Sequence, residues 1–151
     1  MAYFERIELW LENRSQRVRW ILVPVGFILA SGIIFSALSL AAFTLSLFFP
    51  LIGPQKDLSV HPFWFLIFVI LPNFFGAYGS SLVGGWIAPK FKFITICVCA
   101  GFYIFGQLFG LLMFSSVYKI INFLEFGSII LGAIGAVIHA NTSGCFSPTK
   151  K

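Results

Sequence analysis

Residues 20–49, WILVPVGFILASGIIFSALSLAAFTLSLFF, contain no Asp, Glu, Lys or Arg. Three further apolar runs follow at about 63–87, 93–117 and 120–140, and Glu125 is the one Asp, Glu, Lys or Arg residue within them. A helix needs about 20 apolar residues to cross the hydrocarbon core of a bilayer, which is about 30 Å thick. The four runs therefore predict four transmembrane helices.

The composition excludes a water-soluble protein. Hydrophobic residues make up 59% of the chain and charged residues 10%, against about 45–50% and about 25% in ordinary soluble domains. We expect an all-α integral membrane protein, an antiparallel bundle of four transmembrane helices over residues 20–140. An amphipathic arm at residues 1–19 precedes this membrane domain, and a polar tail at residues 141–151 follows it.

The distribution of positive charge predicts the orientation. Eight of the ten Lys and Arg residues fall in the arm, the second loop and the tail, whereas Lys56 and Lys119 fall in the other two loops. Cytoplasmic segments carry the excess of Lys and Arg in membrane proteins. Both termini are therefore predicted to be cytoplasmic, in the plasma (inner) membrane. This distribution accounts for the net charge of +5, so we expect a lipid bilayer as partner and no nucleic acid.

The arm has the spacing of an amphipathic helix. Phe4, Ile7 and Leu11 follow the i, i+3, i+7 pattern of one helix face, with glutamates and arginines on the other. One interpretation is an interfacial helix lying on the inner leaflet. The other is a docking arm for a cytoplasmic partner.

Polar residues within the spans form a candidate site around Pro72. Proline removes one helical hydrogen bond, so we expect a kink there, and the freed carbonyl must find a partner within the protein. Helix length from the predicted span ends brings a set of polar side chains to the middle and outer part of the membrane. These are Asn73, Gln107, Asn122 and Glu125. They act either as interhelical hydrogen bonds of about 0.6–2 kcal/mol each or as a site for a cation, a proton or a small polar solute.

Small residues recur every four positions in the last three spans. Such stripes let helix backbones approach closely, which is a main source of helix association in lipid. The predicted packing residues are Gly76, Ser80 and Gly84 in the second span, Gly106 and Gly110 in the third, and Ser128, Gly132 and Ala136 in the fourth.

Enzyme signatures are missing from the sequence. It contains no phosphate-binding glycine loop, nucleophile elbow or HExxH motif. We therefore predict no catalytic residue, no metal and no cofactor. The leading hypothesis is a non-enzymatic membrane subunit that packs against itself or another membrane protein through its small-residue faces. The alternatives are an oligomeric channel or small transporter using Asn73, Gln107 and Glu125, and, in third place, a lipid-modifying enzyme.

Overall fold

The computed structural model describes residues 2–48, 66–114 and 119–143, with side chains at 5–45, 66–109 and 123–143. All regular structure within these ranges is helical. The helices are α1 (Ala2–Glu12), α2 (Gln16–Phe48), α3 (Leu71–Ile87), α4 (Lys92–Phe114) and α5 (Lys119–Thr142), and a π-helical turn, Leu66–Ile70, leads directly into α3.

Four helical stretches are long and apolar enough to cross a membrane. They are Gln16–Leu45, Leu66–Ile87, Lys92–Phe109 and Phe123–Thr142. The prediction of four long apolar helices is confirmed, and these helices indicate a membrane protein. The first of these long helices, α2, begins at Gln16, earlier than the start of the first span predicted at Trp20. Its 33 residues measure about 50 Å at about 1.5 Å per residue, so α2 is longer than a hydrocarbon core is thick.

Helix α3 is the centre of the assembly, since it contacts α2, α4 and α5. Small residues bring the helices together: Ile87 of α3 packs on Gly26 of α2, and Ile96 of α4 packs on Gly85 of α3. Farther along, Ile34 of α2 packs on Gly79 of α3. Residues later in α2 therefore contact residues earlier in α3.

The backbones of α3 and α5 approach each other closely at Gly132. A Cβ atom on this glycine would collide with the carbonyl oxygen of Phe74 and would lie 3.0 Å from its carbonyl carbon. Backbone atoms cannot rotate away as a flexible side chain can. Only glycine fits at this position, because any larger residue would force the two helices apart.

Helix α1 is connected to the rest of the fold through Leu11, which is 5% exposed. Leu11 belongs to a cluster with Val23 of α2, Ile87, Ala88 and Cys99. Of the two residues predicted to share the apolar face with Leu11, Ile7 is 44% exposed. The side chain of the other, Phe4, lies outside the described residues. The helical arm is confirmed, and its interfacial or docking role stays a prediction.

Arg19 ties the start of α2 to the end of α3. Its guanidinium donates to the carbonyl oxygens of Ile87, at 3.1 Å from Nε, and of Ala88, at 3.3 Å from Nη2. The last carbonyls of a helix have no partner within the helix, and a basic side chain at this end also interacts favourably with the helix dipole. The turn that follows contains Phe91 with a φ of 53°, a left-handed conformation that is rare for a bulky residue.

Candidate functional site: an Asn73–Glu125 contact between apolar helices

A buried carboxamide meets a carboxylate where α3 and α5 pack together. Asn73 is 6% exposed, and its Nδ2 donates to Oε1 of Glu125 at 3.1 Å. Glu125 is half-buried and is the one acidic residue among the described parts of α2 to α5. The contact therefore places the single carboxylate of the apolar helices beside a fixed hydrogen-bond donor.

The same carboxamide also supports the irregular backbone before Pro72. Nδ2 of Asn73 donates to the carbonyl oxygen of Val69 at 3.0 Å, and Val69 lies in the π-helical turn. The expected disruption at Pro72 thus takes the form of a wider helical turn, with Pro72 itself buried. Lipid offers no donor to a backbone carbonyl, and Asn73 supplies one from within the chain.

The other two predicted site residues are not joined to this contact. Gln107 on α4 is half-buried, and no hydrogen bond between described side chains connects it to Asn73 or Glu125. Asn122 lies in α5, but its side chain falls outside the described residues. Of the four polar residues that were predicted to converge, the structure brings Asn73 and Glu125 together.

Most of the predicted packing residues lie against a neighbouring helix or within the interior. A Cβ on Gly76 would lie 3.0 Å from the hydroxyl oxygen of Tyr103, and one on Gly84 would lie 2.7 Å from Sγ of Cys99. Gly132 meets the Phe74 backbone as described, and Ser80, Ser128 and Ala136 are buried. These residues are therefore part of the packing within a single chain.

Gly106 differs from the other packing residues. No described atom lies within 4 Å of the position of a Cβ on Gly106, and the same holds for Gly101. Gly110 is part of α4, but its surroundings lie outside the described side chains. The exposed neighbours of Gly106 are phenylalanines: Phe102 is 67% exposed and Phe105 66%. We call Gly101, Phe102, Phe105, Gly106 and Phe109 the α4 outer face.

Buried hydroxyl groups are bonded within their own helices. Ser81 donates to the carbonyl of Ala77 at 2.7 Å, and Ser128 donates to the carbonyl of Glu125 at 2.7 Å. Ser80 likewise donates to the carbonyl of Gly76. Since each hydroxyl proton is taken up by a backbone carbonyl, these serines satisfy their own polarity without linking two helices.

Two polar contacts were not predicted from the sequence. The hydroxyl groups of Ser31 and Tyr103 lie 3.2 Å apart and join α2 to α4. The hydroxyl of Tyr78 lies 3.0 Å from Nδ1 of His139, joining α3 to α5. A tyrosine in an apolar run gives no sign of which neighbour its hydroxyl will meet, so spacing alone does not identify either pair.

The Asn73–Glu125 contact offers groups that can bind. A carboxylate beside a carboxamide donor can hold a proton or a cation. Across the described residues, no three His, Cys, Asp or Glu side chains lie close enough to bind a metal ion together. His139 is fourteen residues from Glu125, about 21 Å along α5.

Comparison with protein-family models, curated proteins and solved structures gives no match.

Proposed function

We propose that the chain is a plasma (inner) membrane protein in which α2 to α5 form an antiparallel four-helix bundle with both termini in the cytoplasm. Support comes from the positive charges, since Arg19 and Lys90 flank the junction where α2 begins and α3 ends. Labelling of Cys145 with a membrane-impermeant maleimide tests the orientation. Reaction of this tail cysteine in intact cells would contradict it.

We further propose that the protein is a non-enzymatic subunit that assembles with itself or with another membrane protein. The observation that carries this proposal is the α4 outer face. Inside the chain, glycines such as Gly76 and Gly132 lie against a neighbouring helix, whereas Gly101 and Gly106 face open space beside exposed phenylalanine rings. A gap between large apolar side chains offers the close approach that helix association in lipid requires.

Gly106→Leu is expected to abolish this assembly while leaving the fold intact. The leucine fills the gap on the α4 outer face, and no described neighbouring atom lies within 4 Å of its Cβ position. Native mass spectrometry of the intact assembly in mild detergent should show its loss. Gly127→Leu is the matched control, since Gly127 on α5 is equally open. Equal assembly of both variants with the wild type would contradict the proposal.

A cation or proton pathway is the second candidate function, and the Asn73–Glu125 contact favours it. An acidic residue within a membrane helix costs about 2.5–3.5 kcal/mol at mid-helix on insertion scales. Here Glu125 lies beside a π-helical turn, and such turns are frequent at functional sites. The competing interpretation is that the contact only holds α3 and α5 in register.

Glu125→Gln separates these two interpretations of the contact. Glutamine keeps the size of the side chain, and its carbonyl oxygen can still accept a hydrogen bond from Asn73. It removes the carboxyl group, and with it the group that carries a proton or a negative charge. If the contact conducts, proton or cation flux into liposomes should fall at least tenfold relative to the wild type. Conduction at this contact is ruled out if liposomes that contain the wild-type protein show no flux. It is also ruled out if the variant shows the same flux as the wild type.

A further inference from the structure

An apolar groove of about 760 Å³ lies between α2 and α4. Its volume falls within the range of about 300–1,000 Å³ that is typical of small-molecule sites. The groove starts where α1 joins α2 and α3 joins α4, because its lining includes both Trp20 and Phe91. From there it follows Pro24 and Ile28 along α2 and Ile94 and Val98 along α4.

Tyr103 adjoins two lining residues, Phe27 in space and Phe102 in the chain. Its ring meets the ring of Phe27 edge-on at a centroid distance of 6.0 Å, and its hydroxyl lies 3.2 Å from that of Ser31. Helices α2 and α4 line the groove, and its buried lining residues are Val23, Thr95 and Cys99. The lining therefore extends along both helices, from Trp20 and Phe91 at one end to Ile28 and Phe102 at the other.

Basic residues are chain neighbours of Trp20 and Phe91, the two lining residues at one end of the groove. Arg19 directly precedes Trp20, and Lys90 and Lys92 lie on either side of Phe91 in the chain. Arg19 is held at this end by the carbonyls of Ile87 and Ala88. The acidic residues nearest in the fold are Glu5, Glu8 and Glu12 of α1, which are exposed. Within the described ranges they form no ion pair with these basic residues.

We infer that this groove binds one anionic phospholipid, with an acyl chain along Pro24, Ile94 and Val98 and the phosphate at Lys90 and Lys92. The apolar slot fits a hydrocarbon chain, and clustered Lys and Arg beside a membrane helix attract anionic headgroups. A second copy of a transmembrane helix would fill the slot without using the cations next to Trp20 and Phe91. The inference rests on the proposed membrane residence of the chain.

Lipid retention by the full-length protein tests the inference. The protein is reconstituted in vesicles of equal parts phosphatidylglycerol and phosphatidylcholine, extracted in mild detergent and weighed by native mass spectrometry. The wild type should retain one phosphatidylglycerol in preference to phosphatidylcholine. In the double variant Lys90→Gln, Lys92→Gln, the preference for phosphatidylglycerol over phosphatidylcholine should fall about tenfold. The control Lys150→Gln, Lys151→Gln removes the same charge from the tail and should keep it.

A second pair of variants tests the acyl-chain slot. Ile94→Trp should fill the groove and abolish lipid retention. Ile138→Trp on α5 is the matched control, because both isoleucines are 57% exposed, and it should retain lipid as the wild type does. Equal retention of the two lipids by the wild type, or undiminished retention in Ile94→Trp, would overturn the inference. So would a lipid-free dimer cross-linked through Val98→Cys.

The result also separates this inference from the proposed membrane residence. Recovery of the wild-type protein in the vesicle fraction after an alkaline wash, without lipid preference, overturns the lipid site alone. Recovery in the aqueous fraction overturns membrane residence and the lipid site together.

Discussion

Gly132→Ala is expected to destabilise the protein by about 3 kcal/mol, the upper part of the range for overpacked cores. The added methyl group meets the backbone of Phe74, and a backbone carbonyl cannot move without displacing α3 from α5. Unfolding in a titration with sodium dodecyl sulfate, followed by circular dichroism, measures the loss.

Gly127→Ala is the control for this substitution. It makes the same chemical change in the same helix, but no described atom lies within 4 Å of the new methyl group. Alanine is the better helix former by about 1 kcal/mol in water, so stability should stay level or rise slightly. Equal stability of the Gly132 and Gly127 variants would show that α3 and α5 do not approach as closely as described.

Asn73→Leu is expected to cost about 2 kcal/mol by the same unfolding measurement. The substitution removes one donor and leaves two acceptors without it: Oε1 of Glu125 and the carbonyl oxygen of Val69. Each unsatisfied buried polar group costs about 1–3 kcal/mol, although part of this is recovered where water can enter beside half-buried Glu125.

The double variant Asn73→Leu, Glu125→Leu measures the coupling between the two side chains. Its loss of stability should be smaller than the sum of the single losses, because the second substitution removes the carboxylate that the first left unpaired. We expect a coupling free energy of about 1–2 kcal/mol. Additive losses would mean that the two side chains do not interact in the membrane.

Hydropathy was sufficient to predict the long helices, because a run of apolar residues in lipid must satisfy its backbone internally, and a helix does so. The helix ends were less certain. Helix α2 begins at Gln16 because Ser15 precedes it as an N-cap: its Oγ accepts from the Val18 N–H at 3.5 Å. Hydropathy cannot detect a helical turn that lies outside the apolar run.

The rotation of each helix was harder to predict than its position. In a span that is apolar on every side, period alone does not show which face is inside, so the depth of Gln107 and Glu125 could be estimated but their direction could not. Glu125 faces Asn73, whereas Gln107 makes no described hydrogen bond to either residue. Glycine spacing had the same limit, since Gly132 packs against backbone and Gly106 faces open space.

The bond from Arg19 to Ala88 has a consequence for biosynthesis. The two residues are 69 positions apart, and a ribosome adds about 5–20 residues per second. The acceptor of Arg19 is therefore synthesised several seconds after Arg19 itself. During that interval the first hydrophobic segment emerges without the partner that fixes its base. The bond from Arg19 can therefore form only after Ala88, directly behind the second apolar segment, has been made.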